Sequence, residues 1–359
     1  MTHEEIFSYN KFTPKLPLDK PFVFGVNGLA HGHINGMCSS LIRAGATLKY
    51  VYDENEALLS DFSKKFPDAI VAKSYDEILA DPEIELIASA AIPSHRADIA
   101  IKAMHAGKHA FVDKAPVISF DQLSAVKAAC AETGKKFFVC YSEFVSVEAS
   151  VYAKQLIDRG IIGDVFHIDI VAPHSLNPST RPDWFFLRKD TGGIITDIGS
   201  HQLYQFLEFS GAHDATVSSA RVANYFAKDY ADEKEFDDFG DLTIIGDNGV
   251  TGYVRIDWNS PKGINTWGDV RAIIQGSKGY IELRKNCDIG KPKVASTVYV
   301  CTNDGVFTES VAGKVGLPFC SDMINDCRKG TETATTAHKT FRAIELAMEA
   351  QEMALEKFK

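Results

Sequence analysis

Over the first 140 residues, short apolar runs alternate with amphipathic stretches. Residues 21–26 (PFVFGV), 47–53 (TLKYVYD), 70–72 (IVA), 85–92 (ELIASAAI), 109–113 (HAFVD) and 136–141 (KFFVCY) are bounded by turns. They are rich in β-branched or aromatic side chains and read as strands. Between them lie helix signals. Ser74 with Glu77, and Ser119 with Gln122, have capping-box spacing, and Gly134 stops the run that begins at Gln122. Strands alternating with helices of this length predict parallel βαβ units in a doubly wound sheet. After residue 141 the pattern changes. Helical stretches over 148–160 and 197–210 precede β-rich runs at 216–226, 239–246, 250–258, 271–275, 279–284 and 297–302. Asp247-Asn248-Gly249, Gly276-Ser277-Lys278-Gly279 and Asn303-Asp304-Gly305 are hairpin turn signals. Hairpin-fed strands need no crossover helices, so a separate α+β domain is expected. The acidic stretch Asp229–Asp241 reads as a solvated loop. The tail from Ala334 to Phe358 places Phe341, Ile344, Met348 and Leu355 on one helical face.

Length agrees with this division. A chain of 359 residues, at about 150 per domain, suggests two domains. We expect one over residues 1–141, with 1–20 as an extension, and one over 142–359. The last helix, about 334–358, is expected to pack back on the first domain. Hydrophobic residues at 45% and charged residues at 24% are the usual globular mix and exclude a disordered or fibrous chain. A net charge of −10 opposes nucleic-acid binding. The seven cysteines are scattered without C-x-x-C spacing, which disfavours a zinc knuckle and fits a reducing cytoplasm. The first twenty residues lack the apolar core of an export signal. Residues 21–42 lack charge but hold Asn27, His31, His33 and four glycines, too polar for a membrane span.

Three segments carry candidate chemistry. The first strand runs into Gly28-Leu29-Ala30-His31-Gly32-His33. A dinucleotide fingerprint, G-x-G-x-x-G between strand and helix, would fall on Gly28, Ala30 and His33, of which only the first is glycine. Asp53 ends the second strand, 25 residues after Gly28. A carboxylate there would hold ribose hydroxyls and repel a 2′-phosphate, which favours NAD over NADP. The fifth strand ends in Asp113-Lys114-Ala115-Pro116, where a lysine could reach a substrate oxygen beyond the strand ends. The third segment, Gly192-Gly193 to His201, sets Asp197 and His201 four apart, on one face of a helix. The glycine pair would let a ligand come close. A histidine with a nearby carboxylate suits proton transfer near neutral pH. The alternative is a helix-capping Asp197 and an interior His201. His31, His33, His174, Asp197 and His201 could also ligate a metal, but their spacing matches no H-E-x-x-H motif and no metal is assigned.

Together these segments resemble the Gfo/Idh/MocA oxidoreductases, from about residue 21 to 355. The resemblance rests on the Gly28 turn, on Ala91-Ile92-Pro93-Ser94-His95-Arg96, on Ala106 to Pro116, and on Gly192-Gly193 through Asp197 and His201. The family's E-K-P motif stands here as Asp113-Lys114-Ala115-Pro116, and its D-x-G-x-H motif as Asp197, Gly199 and His201. The resemblance implies an α/β architecture: an N-terminal Rossmann-type doubly wound parallel sheet, then an α+β domain with a large open, mainly antiparallel sheet. It implies catalytic roles for Lys114, Asp197 and His201. The cofactor positions are Gly28, Ala30, His31, His33, Asp53, Ile92, Pro93, His95, Asp113 and Lys114. His174, Arg181, Asp183, Trp184 and Tyr141 are the expected substrate contacts, with Trp184 stacking on a sugar face.

Three positions depart from the family pattern. Tyr204 replaces an Asp three residues after the histidine, Ser94-His95 interrupts the usual P-N-x-x-H, and no Arg follows the sixth strand. The expected activity is NAD-dependent oxidation of a secondary hydroxyl on a sugar, cyclitol or related polyol. NAD-dependent glycoside cleavage, a non-catalytic sugar or dinucleotide sensor and a metal-dependent isomerase or lyase are the alternatives. A homodimer or homotetramer in the cytoplasm is expected.

Overall fold

The computed structural model describes residues 1–232, 235–291 and 294–356. Glu233 and Lys234 of the acidic stretch, and Lys357 and Phe358 of the tail, lie outside the described residues. The chain forms two compact units. One comprises Thr13–Cys140 with Pro318–Phe341; the other comprises Met1–Phe12, Tyr141–Leu317 and the chain from Arg342 on.

The first unit is built on a six-stranded parallel sheet: β1 (Phe22–Asn27), β2 (Ala46–Tyr52), β3 (Ile70–Val71), β4 (Ile84–Ser89), β5 (His109–Asp113) and β6 (Phe137–Cys140). Their order is β3-β2-β1-β4-β5-β6. The central strands are apolar on both faces, as the successive buried residues Leu86 and Ile87 of β4 show, because helices cover both sides of a parallel sheet. The predicted caps form: Ser74 accepts from the Glu77 N–H and Ser119 from the Gln122 N–H, each at 3.2 Å. Gly134 closes its helix at a φ of 66°. The order reverses between β1 and β4, which opens a crevice beyond the carboxyl ends of those strands. The helix Phe319–Lys329 completes this unit, with Phe319 6.0 Å from Phe111.

The second unit carries an eight-stranded sheet of β7 (Val165–Pro173), β8 (Ala215–Ala223), β9 (Phe239–Gly246), β10 (Thr251–Asp257), β11 (Arg271–Gly276), β12 (Gly279–Arg284), β13 (Thr297–Thr302) and β14 (Gly305–Ser310). Their order is β14-β13-β12-β11-β7-β10-β9-β8. Among the described residues of this sheet, only β7 and β10 pair in parallel. One face, with Ile168, Ile170, Val254, Ile256, Ile274 and Leu283, is buried. The helices Glu148–Asp158 and Ser200–Ser210 pack on this sheet. The other face, with Asp169, Tyr253, Arg255 and Tyr280, is partly or fully exposed.

Two strands lie outside the expected runs. β7 is central to its sheet, while β14 is an edge with no buried position. The acidic stretch is only in part the solvated loop expected of it: Asp229, Asp232 and Glu235 are exposed, but its second half is not. Asp237 and Asp238 are buried, at 5% and 0% exposure. Asp238 accepts from the Tyr225 and Ala227 N–H groups at 2.8 and 2.7 Å. Asp237 meets Arg188 at 3.0 Å and Gln351 at 2.9 Å. Donors that converge from distant segments outweigh local polarity. Among the described residues, no helix is long and apolar enough to cross a membrane.

Candidate active site

In the first unit, β1 delivers the chain into a tight turn. Gly28 has a φ of 94°, and a Cβ there would lie 2.5 Å from the Ala91 Cβ and 2.9 Å from its Cα. Both backbone shape and close approach of the β4 end therefore demand glycine. The turn is tied down by Gly28 N–H to Tyr52 O at 3.1 Å and His31 N–H to Ala90 O at 2.8 Å. The Asp53 carboxylate accepts the Leu29 N–H at 2.7 Å and the Asn55 N–H at 2.8 Å. The predicted pair, Gly28 and Asp53, thus meets at one turn. A cradle without a Cβ and a carboxylate at the end of the adjacent strand fit the pyrophosphate and ribose of a dinucleotide. Ile92 and Pro93 open the helix Pro93–His105, with Pro93 buried and His95 exposed.

His31, His33 and Asp113 form a cluster across this turn. Asp113 is fully buried. Its two oxygens lie 3.2 Å from His31 Nδ1 and 2.9 Å from His33 Nδ1, and Arg96 stands 3.4 Å away. Burial opposes ionisation of Asp113, but the charges of His33 and Arg96, with hydrogen bonds from both histidines, hold it well below the usual carboxylate range. Burial, aided by His33, pushes His31 down to about 4, so near neutral pH its ring is neutral, and its Nδ1 accepts the His33 N–H at 3.3 Å. The ligand atoms of His31, His33 and Asp113 all lie within 4.8 Å of one another, close enough for a metal ion. Hydrogen bonds and Arg96 already satisfy this carboxylate, which favours a polar cluster over a metal centre. Arg96 also donates to Ala91 O at 2.7 Å, to Ala115 O at 3.0 Å and to Lys114 O. It thereby shapes the backbone around Lys114, whose side chain is 5% exposed.

In the second unit, Asp197 and His201 stand on a continuous helical segment that is not a regular α-helix throughout. Ile195–Gly199 is a π turn and the α-helix begins at Ser200. The wider i→i+5 turn changes the side-chain angles that an α-helical spacing implies, and such turns recur at functional sites. Asp197 is 9% and His201 1% exposed. The Tyr141 ring meets His201 edge-on at 6.3 Å and stacks on Tyr204 at 4.6 Å. The family's departure at Tyr204 therefore builds an aromatic wall beside the histidine.

Gly193 serves a different purpose from the expected ligand approach. A Cβ there would lie 2.5 Å from Gln351 Cδ, and the Gln351 amide accepts the Ile195 N–H at 2.9 Å. The glycine makes room for the tail helix. Gly192 caps the preceding helix at a φ of 83°.

The expected substrate loop separates into different environments. Arg181 donates to Leu176 O at 2.9 Å and its guanidinium stacks on Phe185 and Trp258 at 4.4 and 5.2 Å. Burial lowers its proton affinity and the charge of Asp197 opposes this; Asp197 lines one cavity with Phe185 and Trp258. Asp183 is exposed and Trp184 half-buried. His174 lies between Trp258 and Trp267, at ring distances of 5.6 and 4.7 Å.

Sequence reasoning passed over Glu143 and Lys285. Glu143 is 2% exposed, 3.1 Å from His174 Nε2, and accepts from Gln202 at 2.8 Å. Lys285, also 2% exposed, donates to the Glu143 carbonyl at 3.2 Å and to Gln205. Burial pushes the Lys285 ammonium down to about 8, with Glu143 opposing. Burial opposes ionisation of Glu143, yet the His174 hydrogen bond and the charges of His201, His174 and Lys285 hold it far below the usual range. No local spacing announces this cluster, because its members come from four separate segments.

Comparisons with known proteins agree with this geometry. Residues 22–141 match the oxidoreductase family with an NAD-binding Rossmann fold, and residues 150–282 match the GFO/IDH/MocA C-terminal domain. An uncharacterized oxidoreductase of Streptococcus pneumoniae is 26% identical over 244 residues, 67% of this chain and 62% of that protein. The match thus spans less than two thirds of that relative's length. The NAD(+)-dependent scyllo-inositol 2-dehydrogenase of Bacillus subtilis is 28% identical over 265 residues, 72% of each chain. A solved structure from Erwinia carotovora atroseptica SCRI1043, described as an oxidoreductase, is 41% identical. It superposes with a TM-score of 0.89 over 93% of this chain and 98% of that one. With matches in both halves and this degree of identity, the chain belongs to the Gfo/Idh/MocA family of oxidoreductases.

Proposed function

We propose that this protein is an NAD-dependent dehydrogenase that oxidises a secondary hydroxyl of a sugar, cyclitol or related polyol. The observation that carries the reading is the buried Asp197–His201 segment, with Asp197 lining one cavity with Phe185 and Trp258, the rings on which Arg181 stacks, in a chain whose other unit is an NAD-binding Rossmann domain. Similarity to an inositol dehydrogenase supports the substrate class. NAD, when bound, accepts the hydride. The chain's own residues then have three tasks. The Gly28 turn and Asp53 hold the dinucleotide, and Asp53 disfavours a 2′-phosphate. His201 takes the hydroxyl proton, with Asp197 supporting its basicity. Lys114 donates to the reacting oxygen and stabilises the negative charge that develops there. Arg181, His174 and Trp258 line the polyol side, and the aromatic faces suit the C–H surface of a ring.

The half-exposed sheet face of the second unit supports a homo-oligomer, and a cytoplasmic location belongs to the same reading. The test is a panel of inositols, sugars and their acids incubated with NAD and followed by NADH absorbance. Net NADH formation with at least one polyol is expected. Cleavage of a glycoside without net NADH would overturn it.

A further inference from the structure

The exposed face of the eight-stranded sheet sets its charges in rows. Arg255 of β10 and Arg271 of β11 both stand in register with Val171 of β7, so two arginines flank one valine across three adjacent strands. One row on, Asp257 pairs with Pro173, and the Asp269 N–H donates to the Pro173 carbonyl at 3.2 Å. Each aspartate is two residues from its arginine and therefore shares its face. These four side chains line a cavity of about 340 Å³ together with Phe226, Phe239, Ile264 and Ile289. That volume suits a small molecule. The cavity is distinct from the one beside Asp197: Asp257 and Asn259 line this one, and Trp258, between them in the chain, lines the other. Asp169, Tyr253 and Tyr280 of the same exposed face lie outside it, so it takes up one end of that face.

The four charges are not locked to one another. Arg255 Nη2 lies 3.4 Å from Asp257 Oδ2, and Arg271 Nε lies 3.3 Å from Asp269 Oδ2. Both distances exceed the roughly 2.7–3.2 Å of an N–H···O hydrogen bond. Among the described residues, the Nε atoms of both arginines and Oδ1 of Asp269 find no hydrogen-bond partner. Asp269 is nevertheless 7% exposed. The Cys287 thiol also faces Asp269, but a thiol is a weak donor. The arginine side chains, at 36% and 34% exposure, are open to a ligand. Donors and an acceptor are thus left wanting in one place, where polar groups ordinarily find partners.

We propose that this cavity is a second ligand site, separate from the one beside Asp197, for a neutral polyhydroxy ring of the sugar or cyclitol class. Two guanidiniums balance two carboxylates, so these side chains carry no net charge. An anion would meet the arginines but be opposed by the aspartates, and a cation the reverse. A hydroxyl both donates and accepts, so neighbouring hydroxyls serve the aspartates and the arginines at once. The exposed Phe226 and half-buried Phe239 offer apolar faces to the C–H bonds of the ring. The site stands on the second unit alone and does not depend on the dehydrogenase reading.

The test is methyl NMR of the whole protein labelled at isoleucine, titrated separately with myo-inositol, D-glucose and inorganic phosphate. Ile264 and Ile289 report on this cavity, and Ile194 on the one beside Asp197. Saturable shifts of Ile264 and Ile289 with at least one of the two polyols, and none with phosphate, are expected. Arg255→Met and Arg271→Met should each weaken that response about tenfold or more, through loss of a charge-assisted hydrogen bond, and leave the Ile194 response as in the wild type. Silent Ile264 and Ile289 methyls in the wild type overturn the proposal, a measurement that stands even if neither variant folds. An Ile194 response beside those silent methyls overturns the second site and leaves the dehydrogenase reading intact. Shifts that follow phosphate, or that follow protein concentration and not polyol, assign the cavity to an anion or to a second copy and overturn it as well. So does a polyol response that survives both substitutions in folded protein.

Discussion

Replacing Gly193 by alanine tests how the Asp197–His201 segment is held. At its φ of 92°, an L side chain is strained by about 1–2 kcal/mol. The new methyl would also lie 2.5–2.7 Å from the Gln351 amide atoms, so the amide must swing away. That breaks the Ile195 N–H bond and the 2.9 Å bond to Asp237. A neutral hydrogen bond contributes about 1 kcal/mol and one to a charged group about 1.5–3. The sum is about 3.5–6 kcal/mol, a large part of the 5–15 kcal/mol typical of a folded domain. In a Gln351→Ala background the methyl has room, and the same substitution should cost only the strain. The coupling between the two changes is therefore about 2.5–4 kcal/mol. All three tryptophans, Trp184, Trp258 and Trp267, belong to the second unit. Urea unfolding followed by their fluorescence reports on that unit alone. A cost below about 1 kcal/mol, or an equal cost in both backgrounds, would refute the reasoning.

Asp53→Ala should weaken NAD binding and narrow the preference for NAD over NADP, because the repulsion of a 2′-phosphate goes with the carboxylate. Calorimetric titration of both cofactors checks this, and an unchanged preference removes Asp53 from that role. Lys285 gives a pH signature. Its proton leaves at about 8 in the folded chain against 10.5 unfolded, so the unfolded state binds more protons in that window. Stability of the wild type relative to Lys285→Met should thus rise as pH increases from about 8 to 10.5, by up to about 3 kcal/mol. A flat difference in urea midpoints contradicts a buried ammonium at this position. The half-exposed sheet face should make the protein at least dimeric at micromolar concentration, and a monomer by light scattering counts against this.

The doubly wound half was legible because its signals are local. Alternating apolar runs, the Ser74 and Ser119 caps and the Gly28 turn each occupy a few adjacent residues. β14 escaped because it is an edge strand with no buried position and hence no apolar period. β7 did carry the period of two, with Ile168, Ile170 and Ala172 inward, but it is half-buried and interleaved with His167 and Asp169. Asp237, Asp238, Glu143 and Lys285 look like ordinary surface charges in sequence. Their burial is decided by donors and acceptors far along the chain, such as Gln351 for Asp237 and Gln205 for Lys285. Gly193 was visible as a glycine in need of space, but its neighbour, 158 positions on, was not.

The central claim is that His201 moves the substrate proton in an NAD-dependent oxidation. The most direct measurement is His201→Asn, assayed together for NAD affinity, melting temperature and turnover of the polyol found in the panel. A positioned proton acceptor is worth about 10²–10⁴-fold in rate. The account predicts a folded variant that binds NAD normally and loses turnover on that scale. A folded, NAD-binding His201→Asn protein that turns over like the wild type would contradict it.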